Sequence, residues 1–415
     1  MITTPNLRFT SPLGAASLPL EERKFGDIVS WCRTNSLSRG KLTSDITEIQ
    51  NIHYGDIHTK YPVHFVQEKS GAPYIDGQFP GKFETKDFCR VGDIVFADAS
   101  EDLPDVGKAM EITSVTAVKI VSGLHTHMAR PVPGVFAPGY AGYLMHSRHV
   151  RNQIERSAQG TKVYGISKKN LNDLNVVFPS IPEQEKIAAF LTAVTDKIDA
   201  LTRKKTALEQ YKAGLAQKLF SQEIRFTRED GSAYPDWVEM PFKELAKRRT
   251  KGINSAVTGS SIKVIELENI EGNSGRIFPV DKRADAASGK TLFEAGDVLF
   301  GKLRPYLRKY ARPDFNGACS SEIWVLQGGV ATSAFLYHLV QTDAFMSVAN
   351  ISSGSKMPRA DWSVVSSATF CIPCRDEQDC IAEALTCIEK KIIGLGAQIE
   401  SIQAFKHGLL QQMFV

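Results

Sequence analysis

The chain is a tandem repeat, and that governs what it can fold into. Glu183 to Phe220 aligns without a gap to Glu377 to Phe414 at a constant offset of 194, with 14 identities in 38 positions. Tyr143 falls on Tyr337, and the loop Gly160-Thr161-Lys162 on Gly354-Ser355-Lys356, at the same offset. Further upstream the offset drifts. Gly92 to Phe96 (GDIVF) matches Gly296 to Phe300 (GDVLF) at 204, and Phe25 matches Phe242 at 217. Two like bodies with different insertions are therefore expected, and 415 residues is ample for two to three domains.

Each copy divides in the same way. Short apolar runs broken by Gly, Pro and Asn, such as IVSWCR, VIELENI, DIVFAD and EIWVLQ, predict strands. A proline boundary follows at Ile181-Pro182 and Ile372-Pro373, and then about 40 residues without an internal proline. Glu183 and Glu185, or Asp376, Glu377 and Asp379, put negative charge on the first turn of a helix, where its dipole favours it. At 1.5 Å per residue, each helix is about 60 Å long.

Apolar residues recur along the first helix at Ile187, Phe190, Leu191, Val194, Ile198, Leu201, Leu208, Leu215 and Leu219, with Lys205 and Lys212 in the gaps. The second helix runs Ile381, Leu385, Ile388, Ile392, Leu395, Ile399, Ile402, Leu409, Met413. Spacings alternating between three and four make a coiled-coil seam. One seam needs one partner, so the two helices are expected to pack on each other. The alternative is that each packs on its own domain.

Composition excludes several classes. With 42% apolar and 23% charged residues the chain is neither collagen-like nor largely disordered. No run approaches a membrane span, and no secretory leader is visible. Seven cysteines, an odd number, suit a reducing cytoplasm better than a disulfide framework. The pairs Cys371/Cys374 and Cys380/Cys387 are expected to be filler rather than zinc ligands, because the last two stand two helical turns apart. His125 and His127, on one expected strand, lack a third ligand and suggest a surface pair. Gly296 to Lys302 has the glycine and lysine spacing of a phosphate loop, but Leu303 stands where a hydroxyl should reach magnesium. That stretch is expected to be a buried strand. No dinucleotide fingerprint or amino-methyltransferase tetrapeptide is present, and no catalytic residue or metal ligand is assigned.

The basic residues point to a polyanion. From Pro241 to Pro313 there are 15 Lys and Arg against 8 Asp and Glu; that window is +7 in a chain of net +4, which leaves −3 elsewhere. It contains Lys247-Arg248-Arg249 and the run Lys302, Arg304, Tyr306, Arg308, Lys309. Arginine forks match guanine or phosphate, and an interleaved tyrosine can pack on sugar or base. A solvated basic face is the plainer reading. The paired glycine–hydroxyl–lysine loops, Gly160-Thr161-Lys162 and Gly354-Ser355-Lys356, suit close backbone approach to phosphate, with Tyr164, Lys168 and Arg359 beside them. The five residues of the run from Lys302 to Lys309, the two loops and their three neighbours are the fourteen candidate DNA contacts.

The order Gly-Thr-Lys loop, Glu183-Gln184-Glu185-Lys186-Ile187-Ala188 helix and Gly214-Leu215-Ala216-Gln217-Lys218-Leu219-Phe220, present twice, resembles the specificity (S) subunit of type I restriction–modification systems. The second copy departs mildly at Ser355, Asp379-Cys380 and Met413. The resemblance covers residues 20 to 415. It implies an α+β fold of two target recognition domains separated by two long antiparallel coiled-coil helices, with pseudo-two-fold symmetry. The domain layout it gives is an extension over 1–20, a first recognition domain over 21–181, a first spacer helix over 182–222, a linker over 223–240, a second recognition domain over 241–373 and a second spacer helix over 374–415. Each domain of such a subunit reads one half of a bipartite DNA site, and the helices set the unread gap. The partners implied are double-stranded DNA, two methyltransferase subunits and motor-nuclease subunits. S-adenosylmethionine, magnesium and ATP would belong to those partners and no cofactor to this chain, in the cytoplasm. The alternatives are a coiled-coil scaffold without DNA specificity, or a methyltransferase or nuclease with an unrecognised active site.

Overall fold

A computed structural model of the chain describes residues 5–9, 19–79, 81–252, 262–280, 282–283, 290–351 and 357–414. It is α+β and falls into two compact units, Met1–Leu201 with Gln398–Val415, and Thr202–Ala397. The two long helices, Ile181–Phe220 and Arg375–Met413, each contribute one stretch to each unit.

The two units repeat one topology. In the first, Val29–Cys32, Thr126–Pro131, Ile94–Ala97, Ala109–Ser114 and His64–Val66 form a sheet in that order, antiparallel except for the last pair. In the second, Ala246–Arg249, Ile323–Gly328, Val298–Gly301 and Tyr310–Ala311 form an antiparallel sheet in the same order. The central strands, Ile94–Ala97 and Val298–Gly301, are fully buried. Continuous apolar sequence covered on both faces gives such a strand. The stretch with phosphate-loop spacing is accordingly a core strand. A smaller four-stranded sheet accompanies each main sheet. A two-stranded ribbon, Glu21–Lys24 with Asn175–Phe178 or Val238–Pro241 with Thr369–Ile372, leads to each long helix.

The shared Gly-Asp before each central strand is structural. Gly92 and Gly296 sit at φ +90° and +88°, where a side chain would be strained. The following Asp93 and Asp297 each accept a backbone N–H three residues back, from Arg90 (2.8 Å) and Glu294 (2.9 Å). Each is buried and paired with an arginine from another strand of the same main sheet: Asp93 with Arg130 at 2.7 Å, Asp297 with Arg249 at 2.8 Å. Arg249, one of the three consecutive basic residues, therefore serves the core of its own domain.

Within each unit the long helices pack antiparallel. In the first, Ile187, Ala188 and Leu191 share a core with Leu409, Met413 and Phe414. In the second, Leu219 shares one with Ile381, Ala382 and Leu385. There Lys212 donates to Glu389 at 2.8 Å, and Lys205 lies beside Gly396, so numbering rises on one helix as it falls on the other. Lys205, Lys212 and Lys406 occupy seam positions, carrying the three-four alternation through the apolar gaps.

The Glu-Gln dipeptide heading each helix is an anchor. Gln184 accepts from the Ala137 N–H (2.9 Å) and donates to the Val135 and Pro179 carbonyls. Gln378 does the same with Thr332 N–H (2.8 Å), Val330 and Pro373. The buried Glu183 and Glu377 each receive a bidentate arginine, Arg8 and Arg225. Those arginines differ by 217, as Phe25 and Phe242 do, and their neighbours match: Leu7-Arg8-Phe9 and Ile224-Arg225-Phe226. Leu7 N–H bonds to Gln412 O, and Ile224 N–H to Lys218 O, at equivalent helix ends.

Candidate nucleic-acid interface

The structure brings the Gly-Thr-Lys loop of the first unit beside the segment that leaves the central strand. Tyr164–Gly165 pairs antiparallel with Ala99–Ser100, and Gln159 bridges Gly165, so residues 160–163 form the tip of a tight turn. Gly160 sits at φ +126°, and a Cβ there would lie 1.9 Å from the Val163 carbonyl oxygen. No other residue fits that position. Thr161 and Lys162 are exposed at the tip. Lys168 stands over the Trp31 ring at 5.6 Å, so its charge is held on an aromatic face.

The second unit repeats the pairing. Leu303 bridges Arg359, and Ala360 N–H bonds to Lys302 O. The run Lys302 to Lys309 and Arg359 are thereby brought together. Gly354, Ser355 and Lys356, immediately before, lie outside the described residues.

The fourteen candidates differ in what their charges do. Arg308 pairs with Asp343 and donates to the Gln341 carbonyl. Lys309 donates to the Leu267 carbonyl at 2.8 Å. Arg359 forks onto Glu322 at 3.1 and 3.2 Å. Lys302 and Arg304, by contrast, have no side-chain hydrogen bond or ion pair among the described residues, and Arg304 and Tyr306 are exposed.

Arg33, Asn35 and Lys82, not singled out from sequence, join His125, His127 and Lys168 in lining a polar cleft of about 490 Å³ in the first unit. His127 lies on the strand Thr126–Pro131 and bonds through Nε2 to the Ile166 carbonyl at 3.0 Å; burial lowers its pKa. His125 is not on that strand. It occupies a left-handed turn at φ 55° and faces Asp98 at 3.2 Å. The basic wall comes from four separate segments, and no local pattern announces it. Among the described residues, no group of three or more His, Cys, Asp or Glu is arranged to hold a metal ion. No helix among them is long and apolar enough to cross a membrane.

Comparison with known proteins places this geometry. The family described as "Type I restriction modification DNA specificity domain" matches residues 140–210, the stretch from Tyr140 through the turn to the first long helix. The type I restriction enzyme EcoDI specificity subunit of Escherichia coli is 21% identical over 237 residues, covering 50% of this chain and 53% of that one. The chain thus spans about half the length of that relative. The MjaVIII specificity subunit of Methanocaldococcus jannaschii is 20% identical over 290 residues, covering 65% and 68%. In fold, the S subunit of a type I system from M. genitalium superposes with a TM-score of 0.61 at 13% identity, covering 100% of this chain and 99% of that one. A chain from a structure concerned with complex assembly and conformational transition of the type I R-M system gives 0.54 at 13% identity, covering 96% and 99%. The duplicated topology, the anchored Glu-Gln helices and these likenesses agree: residues 140–210 match a type I restriction modification DNA specificity domain, and the chain is similar in sequence and fold to type I specificity subunits.

Proposed function

We propose that this chain is the non-catalytic DNA sequence-recognition subunit of a type I restriction–modification complex in the cytoplasm. Each unit reads one half of a bipartite duplex site, and the long helices set the gap and dock two methyltransferase subunits, which motor-nuclease subunits join. S-adenosylmethionine, magnesium and ATP belong to those partners.

One observation carries the reading. Two units of the same topology each present a turn with an exposed cation that has no partner among the described residues, Lys162 in one and Arg304 in the other, beside the equivalent central strand. A duplicated scaffold presenting non-identical contacts suits a site with two different halves. The divergence of the contacts, Ser100 to Asp105 against Arg304 to Lys309, supports an asymmetric site.

The test is to co-express the full chain with a type I methyltransferase subunit and map methylated adenines by single-molecule sequencing. A bipartite, asymmetric motif with a fixed gap is expected. A soluble complex that methylates nothing would favour a scaffold, and methylation by this chain alone would overturn the non-catalytic reading.

A further inference from the structure

The turn that follows the central strand of the second unit presents some side chains outward and ties others down. Arg304 and Arg308 flank the 3-10 turn Pro305–Leu307 and both adopt left-handed backbone, at φ 50° and 48°. Residues with a Cβ disfavour that conformation, and it persists only where surroundings enforce it. Here they do. Arg304 N–H bonds to Pro358 O, Leu307 N–H to Arg304 O, Arg308 N–H to Pro305 O and Asn273 N–H to Arg308 O. Gly272 lies against the turn so closely that a Cβ would come within 2.6 Å of the Leu307 carbonyl oxygen. Arg308 reaches Gln341 and Asp343, and Lys309 reaches Leu267, all within the second unit.

What remains at the tip is an arginine without a partner among the described residues, a tyrosine 54% exposed and a leucine 38% exposed. We propose that Arg304 and Tyr306 form the base-reading head of the second unit, with Arg308 and Lys309 as its positioning residues. This rests on the DNA-recognition role proposed above and adds which side chains touch bases.

Three observations favour base edges over phosphate. The turn is fixed, and a bidentate contact to guanine needs a fixed fork, whereas phosphate tolerates a mobile cation. The apolar exposure of Tyr306 and Leu307 beside the guanidinium suits a thymine methyl and has no use against phosphate. The equivalent turn of the first unit, Ser100 to Asp105, carries Glu101, Asp102 and Asp105 in place of cations. The head therefore belongs to one half-site only.

The test uses the full chain and its Arg304→Ala, Tyr306→Ala and Arg308→Ala variants, with thermal melting to confirm the fold. Each selects from a random duplex library, and the bound DNA is sequenced. For Arg304→Ala, affinity for the wild-type site is expected to fall about five- to 150-fold. Its base preference should relax at one position of one half, leaving the other half intact. Tyr306→Ala should relax an adjacent position, and Arg308→Ala should blur the same half. Unchanged motifs in Arg304→Ala and Tyr306→Ala would overturn the proposal. So would an equal loss on selected and scrambled duplex, the mark of phosphate contact alone. A wild-type chain that selects no motif would overturn the recognition role itself, and this inference with it.

Discussion

Arg225 donates twice to the fully buried carboxylate of Glu377, at 3.1 and 2.8 Å, and Trp237 Nε1 adds a third donor at 3.1 Å. Arg8 forks onto Glu183 in the other copy. Removing the arginine strands a charge inside the protein, and the cost is that of an uncompensated buried ion. Arg225→Ala is expected to destabilise the second unit by about 3 kcal/mol. Arg225→Lys, which keeps charge but not the fork, should fall between. Urea unfolding midpoints measure both, and an unshifted midpoint for the alanine variant would contradict the anchor role.

Lys212 and Glu389 form an ion pair in the seam, with side chains 17% and 11% exposed, and the Tyr337 hydroxyl also donates to Glu389. Such a pair specifies register more than it stabilises. Lys212→Ala is expected to cost about 3 kcal/mol, because among the described residues Glu389 then keeps only the phenol as donor. Lys212→Met combined with Glu389→Gln should recover most of that loss. Thermal melts of the singles and the double form the cycle that checks it, and additive losses would exclude coupling.

Glu111 accepts from Gly139 and Gly142 N–H at 2.6 and 2.7 Å beneath the helix Tyr140–Met145. Burial pushes its carboxyl up to about 7, against the lowering effect of those hydrogen bonds. The folded state therefore holds a proton that the unfolded chain releases above its ordinary value of 4.5. Between pH 4.5 and 7 this group makes stability fall as pH rises, by about 3 kcal/mol across the window. The buried His146 and His338, lowered to about 4 and about 3, act oppositely below their ordinary 6.5. Comparing Glu111→Gln with wild type by urea unfolding at pH 5 and pH 8 isolates the carboxyl. Identical pH slopes would refute the shift.

Gly160 and Lys162 separate shape from charge in one turn. Gly160→Ala is expected to destabilise the first unit by about 1–3 kcal/mol, because the turn cannot hold φ +126° with a Cβ against Val163. Lys162→Ala should leave stability unchanged, weaken DNA binding to all sequences alike and reduce the salt slope by about one. Affinities measured across a salt series distinguish the two, and an unaltered slope would remove Lys162 from the interface.

The duplication, the two long helices and the buried central strands were legible because each rests on local pattern: an offset of 194, a three-four alternation, a run such as Val-Leu-Phe. The fold class followed from those. The division of labour inside Lys302 to Lys309 was not legible, because it is set by Leu267, Gln341 and Asp343, some 30 to 40 residues away in sequence. Arg8 could have been found. Its Leu-Arg-Phe recurs as Ile-Arg-Phe at the offset of Phe25 and Phe242, but three residues are a weak signal until Glu183 and Glu377 show what they hold. Arg33 and Lys82, which join His125 in the cleft, had no signal, since only the folded chain brings their separate segments together.

Each unit draws part of its core from both long helices, and this orders the chain's biosynthesis. Ile187 and Leu191 leave the ribosome about 200 residues before Leu409 and Met413, their partners in one core. At about 5–20 residues per second, that interval is roughly 10 to 40 s. All of Thr202–Ala397 emerges in between, free to complete its own core of Leu219, Ile381 and Leu385. The unit that is translated first is the one that finishes folding last, and its bare apolar seam must be kept from other partners meanwhile.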